Sequence, residues 1–288
     1  MLNLNNLSKR YGKKQALHSL SLSVHPHQIL GVFGPNGCGK STLFRLIMGI
    51  LEPSTGSVTF NGIPVEHSRT AFGYMPEQRA MLIDLTIRNH ALFIGKLKST
   101  ETAVLHRRID DLAKRFQLSE AIDRPIRQLS KGNQQKVQLM MALLDEPKLL
   151  ILDEPFNGLD VGAREELSDI LREIAQRGTA ILISSHLLDA VSGLCDSILV
   201  LKEGRVQRQG HLSALRSDQS RIRITVNADS NWKDLRSSYL SVSPQGHTMT
   251  FEFDSILKAR QALRYFQSDR SIQSLHYDVM GLRTLIDP

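Results

Sequence analysis

The chain has 288 residues, of which 41% are hydrophobic and 23% are charged, and this composition excludes a wholly disordered protein. Its 36 lysines and arginines against 29 acidic residues leave a net charge of +7, which suits an acidic partner such as a nucleotide, a nucleic acid or an anionic lipid. The two cysteines, Cys38 and Cys195, argue against a disulfide scaffold. The sequence predicts no secretory signal and no apolar run near the roughly 20 residues of a membrane span, so we expect a cytoplasmic protein.

The N-terminal part of the chain predicts strands followed by a helix. Apolar residues alternate over residues 2–7 and 17–24, which is the period of a half-buried strand. Residues 29–33 (ILGVF) form a short apolar run typical of a fully buried strand. After Ser41 the apolar residues recur at helical spacing.

The middle of the chain alternates between helical and strand patterns. Residues 57–65 predict a hairpin that turns at its Asn-Gly pair, and residues 84–145 are mostly helical in pattern. Residues 149–152 (LLIL) and 181–183 (ILI) predict two buried strands, which a helical pattern over residues 164–177 separates. This alternation predicts an α/β fold with a mainly parallel sheet covered on both faces.

The C-terminal part of the chain has a different pattern. Residues 221–226 and 248–253 alternate in hydrophobicity, and residues 255–266 are periodic for a helix. We therefore expect a small β-rich α+β domain over residues 215–288, separate from a first domain over residues 1–212.

Residues 34–41 (GPNGCGKS) fit the phosphate-loop pattern G-x-x-x-x-G-K-[ST], between a predicted strand and a predicted helix. Its glycines let successive backbone N–H groups face a triphosphate at the positive end of the following helix. We expect Lys40 to reach the β- and γ-phosphates and the Ser41 hydroxyl to ligate Mg²⁺. A strand-to-helix turn that binds nothing would not explain why the lysine and the hydroxyl follow the glycines in this order. The residues predicted to bind ATP in this segment are Gly34, Pro35, Asn36, Gly37, Cys38, Gly39, Lys40, Ser41 and Thr42.

Cys38 lies inside the phosphate loop, among residues expected to face the phosphates. Its thiol is either a small neutral filler or a group whose pKa is lowered by the helix N-terminus and Lys40. We favour the filler, and both interpretations stay open at this point.

A second apolar strand ends in two carboxylates. Residues 149–154 (LLILDE) place Asp153 and Glu154 at the carboxyl end of a buried strand, where open α/β sheets bind their ligands. Asp153 can hold Mg²⁺, and Glu154 can direct an attacking water. A helix N-terminus that uses acids to complement its dipole is the alternative, and it explains one acid better than two.

Residues 128–137 (QLSKGNQQKV), just upstream of that strand, resemble the LSGGQ signature of ATP-binding cassettes. With the phosphate loop and the two carboxylates in the family's order, residues 1–212 resemble the nucleotide-binding subunit of an ABC transporter. The resemblance implies a P-loop cassette with a mainly parallel sheet, an antiparallel β subdomain and a helical subdomain over about residues 84–145. It also implies an ATPase that uses ATP and Mg²⁺.

The resemblance also implies roles for individual residues. Tyr11 matches the aromatic residue that stacks on adenine, and Ser130 and Gly132 match the signature positions that cap the γ-phosphate of ATP held by a second subunit. Asp160 matches the loop that connects the two sites, and His186 matches the switch histidine that contacts the γ-phosphate. The implied catalytic residues are Lys40, Glu154 and His186, and the implied Mg²⁺ ligands are Ser41, Asp153 and Glu77.

Two segments depart from the family pattern. Lys131 and Asn133 stand where the usual signature has Gly and Gln. In residues 73–79 (GYMPEQR), the family glutamine that senses Mg²⁺ and the transport subunit aligns with Glu77, next to Gln78. We favour Glu77 for this position and keep both residues as candidates.

The resemblance implies two protein partners. A second cassette subunit, expected to be an identical copy, would complete a head-to-tail sandwich with each ATP between one phosphate loop and the other subunit's Ser130. A chain without a membrane span needs a separate permease, which would hold it at the cytoplasmic face of the cell membrane. Export is the favoured direction, and we expect no nucleic-acid partner. The alternative is a soluble cassette ATPase in a non-transport assembly such as cluster biogenesis.

Overall fold

The computed structural model of this chain describes residues 1–67, 72–78, 80–97, 101–186, 193–217, 222–228, 241–245, 248–253, 256–268 and 272–279. The chain divides into two units, Met1–Gln209 and Gly210–Pro288. The division falls slightly before residue 212, where the sequence analysis placed the end of the first domain.

Two sheets organise the first unit. The strands up to the boundary are β1 (Leu2–Tyr11), β2 (Lys14–Val24), β3 (Ile29–Phe33), β4 (Thr55–Phe60), β5 (Ile63–Pro64), β6 (Phe72–Met75), β7 (Leu149–Asp153), β8 (Ala180–Ser185), β9 (Ser197–Lys202) and β10 (Arg205–His211). One sheet is antiparallel, with the order β2-β1-β4-β5. The other has the order β10-β9-β3-β8-β7-β6, and its strands from β9 to β6 run parallel.

The helices of the first unit agree with the predicted pattern. They are α1 (Lys40–Ile47), α2 (Ile87–Leu97), α3 (Thr102–Arg115), α4 (Lys131–Leu143) and α5 (Val161–Gln176). Helices α2 to α4 occupy the stretch predicted to be helical. The predicted hairpin is also confirmed, because Asn61 and Gly62 both have positive φ, 52° and 80°, as a tight turn between β4 and β5 requires.

Helix α1 packs between the two sheets of the first unit. Its side chains Leu43, Phe44 and Ile47 are fully buried in one core cluster with Leu4 of β1 and Leu182 of β8. Burying side chains of this size contributes about 1.5–3 kcal/mol each. The first turn of α1 is therefore held firmly beside the parallel sheet.

The parallel register brings three strand ends to one edge of the sheet. Phe33, the last residue of β3, pairs with Ser185 of β8, and Asp153, the last residue of β7, pairs with Ser184. The phosphate loop and the two carboxylates therefore meet where open α/β sheets place their ligands. Strand β9 was not predicted from the sequence, although residues 198–201 have the same continuous apolar pattern as β7.

The second unit contains an antiparallel sheet of order β12-β13-β11-β14. Its elements are α6 (Leu212–Ser217), β11 (Ile222–Ala228), β12 (Ser241–Gln245), β13 (Thr248–Phe253), α7 (Ile256–Ser268) and β14 (Ile272–Val279). Phe251 and Phe253 of β13 are buried in one cluster with Ala259 and Phe266 of α7. Among the described residues of the chain, no helix combines the length and apolar character that crossing a membrane requires.

Candidate nucleotide-binding site

The phosphate loop between β3 and α1 closes around the Lys40 side chain. Lys40 Nζ donates hydrogen bonds to Gly34 O at 2.7 Å and to Pro35 O at 3.4 Å. Gly34 has a φ of 148°, and a Cβ there would lie 2.1 Å from Leu201 O. Gly39, just before the helix, has a φ of 112°. Only glycine fits these two positions, so the motif's glycines are required by the shape of the loop.

An open cleft of ≈ 630 Å³ lies in front of this loop. Of the residues that the sequence analysis proposed, the cleft brings together most of the phosphate loop, both carboxylates of the β7 end, Tyr11 and Glu77. The described residues that line it are Tyr11, Lys14, Gln15, Ala16, Asn36, Gly37, Gly39, Lys40, Ser41, Thr42, Glu77, Asp153, Glu154, Glu203 and Gly204. Glu203 and Gly204 form the β9–β10 turn, and neither residue was predicted from the sequence to belong to the site. Gly204 N donates to Cys38 O at 2.9 Å, so this turn supports the loop from outside.

Asp153 is held by two hydroxyl groups. Ser41 Oγ donates to Asp153 Oδ2 at 3.1 Å, and Ser184 Oγ donates to Asp153 Oδ1 at 2.5 Å. The carboxylate is only 4% exposed. Hydrogen bonds to an ionised group are stronger than neutral ones, so both oxygens of Asp153 have fixed positions beside the phosphate loop.

Glu154 is the second buried carboxylate of the cleft, with 6% of its surface exposed. His186 Nδ1 lies 2.9 Å from Glu154 Oε2, a hydrogen bond that the histidine tautomer protonated at Nδ1 would donate to an ionised carboxylate. Glu154 Oε1 lies 3.9 Å from Lys40 Nζ and has no hydrogen-bond partner among the described residues. An unsatisfied buried acceptor costs about 1–3 kcal/mol, and such a group points to a functional role.

The backbone of Glu154 adopts an unusual conformation. Its φ of 53° lies in the left-handed region, which costs a non-glycine residue roughly 1–2 kcal/mol. Ser184 Oγ accepts the Glu154 N–H at 2.9 Å and thereby supports this conformation. Ser184 is fully buried and was not selected from the sequence. The available signal was a hydroxyl pair, Ser184-Ser185, at the end of an apolar strand.

The Cys38 side chain is directed into the core, away from the cleft. Cys38 is 3% exposed and belongs to the core cluster around α1. Burial raises the pKa of the Cys38 thiol, and this effect exceeds the opposite effect of the Lys40 charge. The expectation that Cys38 faces the phosphates is therefore wrong for its side chain, and so is the alternative of a lowered pKa.

Three further residues predicted to bind ATP lie at the end of β1 and in the loop after β6. Tyr11 lines the cleft and is 44% exposed, and Lys9 Nζ lies 5.3 Å from the centroid of its ring. Of the two neighbouring candidates after β6, Glu77 lines the cleft, whereas Gln78 is outside the described lining.

Ser130, Gly132 and Asp160 lie outside the lining of this cleft. Ser130 is the N-cap of α4, where its Oγ accepts the Asn133 N–H at 3.2 Å. Asp160 is the N-cap of α5, where its Oδ1 accepts the Ala163 N–H at 2.8 Å. Both capping residues are exposed to solvent.

A glycine loop at the end of a parallel strand, with a hydroxyl–carboxylate pair and a buried Glu–His pair beside it, defines a P-loop nucleotide-binding protein. A family model described as ABC transporter matches residues 17–157. An ABC transporter ATP-binding protein of Bacillus subtilis (strain 168), YhaQ, is 34% identical over 238 residues, which cover 82% of this chain and 80% of that protein. The chain belongs to the ABC transporter family, as an ATP-binding subunit with the ATPase fold of its relatives.

Two further similarities extend this assignment. The Nod factor export ATP-binding protein I of Sinorhizobium fredii (strain NBRC 101917 / NGR234) is 35% identical over 222 residues, which cover 76% of this chain and 65% of that protein. The solved structure of cbiO1 from Clostridium perfringens, described as part of the ABC transporter complex cbiONQ, is 30% identical with a TM-score of 0.69. That match covers 75% of this chain and 90% of cbiO1.

Proposed function

We propose that this ATP-binding subunit binds MgATP, forms a head-to-tail dimer around two nucleotides and drives export through a separate membrane permease. The observation that carries the proposal is the cleft in which Lys40, Ser41, Asp153 and Glu154 face one space. Phosphoryl transfer depends mainly on positioning and charge neutralisation, which are the properties of this arrangement.

The residues of the cleft fit a magnesium ion. Mg²⁺ prefers oxygen ligands and is usually held by one or two protein groups together with substrate phosphates. The Ser41 hydroxyl and the Asp153 carboxylate, with 3.1 Å between their oxygens, are such a pair, and Glu77 is the third candidate in the lining. When bound, Mg²⁺ would neutralise charge on the β- and γ-phosphates.

Glu154 is proposed to be the general base that orients and deprotonates the attacking water. Its Oε1 has no partner among the described residues and so is available to accept a proton, while His186 fixes the other carboxylate oxygen. Lys40 now donates to the carbonyl groups of its own loop. We propose that phosphate oxygens of ATP replace these acceptors, which would also bring the Lys40 charge onto the nucleotide.

The second subunit would complete each site. The cleft is open on one side, and Ser130, Gly132 and Asp160 do not line it in their own chain. Ser130 and Asp160 are exposed at the N-termini of two helices, whose N–H groups and positive dipole ends favour an anion. These features support the proposal that the signature residues Ser130 and Gly132 of each subunit cap the ATP of the partner copy.

The permease is proposed to contact the loop after β6 and the N-terminal part of the helical subdomain. Four large apolar side chains are exposed there, and burial against another protein would remove them from water. They are Leu82, Ile83, Phe93 and Leu97. Such a contact would place the chain at the cytoplasmic face of the membrane. The name of the Nod factor export relative supports export as the direction.

Affinity purification of the tagged full-length chain in mild detergent tests the proposal. We expect a polytopic membrane protein to co-purify, and ATPase activity to rise when the complex is placed in lipid. A double variant of two exposed residues, Phe93→Glu with Leu97→Glu, should no longer co-purify with the membrane protein but should still bind ATP. Stoichiometric recovery of a soluble partner instead would contradict the transport role and support a non-transport assembly.

A further inference from the structure

Gln135 and Gln138 of α4 have no role in the function proposed above. Gln138 is 4% exposed, and its Nε2 donates to Pro76 O at 2.8 Å and to Gln78 O at 3.3 Å. These two carbonyl groups flank Glu77 on both sides. Gln138 therefore holds the backbone that presents Glu77 to the cleft.

Gln135 makes a similar contact with the other cleft carboxylate. Its Nε2 donates to Pro155 O at 3.0 Å, directly after Glu154 in the chain. Residues three apart lie on the same face of a helix, so Gln135 and Gln138 project from one side of α4. One helix face thus contacts the backbone beside both Glu77 and Glu154.

The buried amide of Gln138 does not favour the stability of the fold. Turning the amide around would bring Oε1 against two carbonyl oxygens, so the observed orientation is the one that the hydrogen bonds require. In this orientation Oε1 is buried and has no hydrogen-bond partner among the described residues. An apolar side chain of similar size would avoid this unsatisfied acceptor, so we ascribe the glutamine to its donor function.

The same helix is packed tightly against the strand that leads into the Glu77 loop. A Cβ on Gly73 of β6 would lie 2.3 Å from Ala142 O of α4, so the helix and the strand are in direct backbone contact. Ala142 is one turn after Gln138. Because packed interiors deform little, α4, β6 and the loop are expected to move together.

We propose that Gln138 and Gln135 are positioning residues. They would hold Glu77 and Glu154 in fixed positions relative to the signature residue Ser130 at the start of α4. Contact of Ser130 with the partner copy's ATP would then act on both carboxylates through one rigid helix. This inference rests on the proposed function, because it assigns Ser130 to the partner's nucleotide and Glu77 to Mg²⁺.

The test compares three variants of the full-length chain in steady-state ATPase assays. Gln138→Met and Gln135→Met remove the donors at similar side-chain volume. Gln209→Met is the matched control, since it removes a side-chain bond to the Ser21 carbonyl in another part of the first unit. For each variant, kcat, the KM for ATP and the half-saturating Mg²⁺ concentration are measured, together with the thermal unfolding midpoint.

We expect the two α4 variants to change different kinetic parameters. Gln138→Met should raise the half-saturating Mg²⁺ concentration by about three- to tenfold, and Gln135→Met should lower kcat by about tenfold without that shift, as expected for the loss of one or two hydrogen bonds. The KM for ATP should change little in either variant. Gln209→Met should match the wild type.

Two results would overturn the inference. The first is wild-type kcat and Mg²⁺ dependence in both α4 variants, and the second is a loss of activity that only follows the fraction of unfolded protein. Lys40→Ala is assayed in parallel. If Lys40→Ala were fully active, the proposed function itself would fail, whereas an inactive Lys40→Ala with normal glutamine variants would reject only the role of the glutamines.

Discussion

The phosphate-loop cleft and the start of α4 both contain residues that we propose to bind ATP, but their surroundings differ. In the cleft, Lys40, Asp153 and Glu154 are buried and have partners from the same chain. At the start of α4, Ser130 is exposed and bonds only to the first turn of its own helix in the described contacts.

This difference supports the proposal that the two regions contribute separately to ATP binding and hydrolysis. A buried, preorganised set of charges suits nucleotide binding and chemistry within one subunit. An exposed helix N-terminus suits recognition of an anion that another molecule brings. Substitutions in the cleft should therefore affect the isolated subunit, whereas substitutions at Ser130 should affect only the assembled pair.

The largest effect on ATP affinity is expected from Lys40→Ala. The variant should lower ATP affinity by about a hundredfold, because each hydrogen bond of an ammonium to a charged group contributes about 1.5–3 kcal/mol. Equilibrium binding of a fluorescent ATP analogue measures this. Lys14→Ala is the control, since Lys14 also lines the cleft but is exposed. Equal losses in both variants would mean that only the general positive charge of the cleft matters.

Substitution of Ser130 tests the other region. Ser130→Asp keeps a good N-cap for α4 but places a negative charge where we propose that the partner copy's γ-phosphate binds. Turnover should fall by about tenfold or more while ATP affinity of the isolated subunit stays unchanged. Ser130→Asn keeps the cap without the charge and should remain far more active. A loss of affinity in the isolated Ser130→Asp subunit would show that Ser130 acts within its own chain.

Ser184→Ala tests how the cleft holds Glu154. The variant removes the bonds to Asp153 and to the Glu154 N–H, so kcat should fall by about tenfold with little change in ATP affinity. Ser184→Thr should restore most of the activity. Ser197→Ala serves as a control, because Ser197 of β9 in the same sheet is also buried and accepts a hydrogen bond from Gln28, just before β3. If Ser197→Ala lowered kcat equally, the effect of Ser184 would be one of stability only.

The smallest effect concerns Cys38. Burial raises the pKa of this thiol, and because the thiolate is the reactive form, the folded protein should react slowly with iodoacetamide at neutral pH. The rate should increase with pH above the usual thiol range, and Cys195, whose pKa burial raises to about 12, should react even less. Intact-mass measurements report both. Rapid labelling at pH 7 that ATP prevents would place the thiol in the cleft.

The sequence was most informative where the functional residues are contiguous. The phosphate loop and the Asp153-Glu154 pair follow apolar strands directly, so their position at the sheet edge could be predicted together with the α/β fold. Ser184 and Gln138 could not be found in this way, because their hydrogen bonds reach segments that are distant in sequence, the end of β7 and the loop after β6. The direction of the Cys38 side chain depends on the positive φ angles of the glycines beside it, which the motif does not report.

The central claim is that one chain supplies only half of each ATP site, and Glu154→Gln tests it most directly. The variant retains the cleft but loses the proposed general base, and a general base typically contributes about 10²–10⁴-fold in rate. With MgATP, we predict a species of twice the 32.3 kDa subunit mass that contains two ATP molecules, measured by size-exclusion chromatography with light scattering. Without nucleotide, or with Ser130→Asp added, it should revert to the monomer. A variant that binds MgATP and stays monomeric, or that hydrolyses ATP at the wild-type rate, would contradict the account.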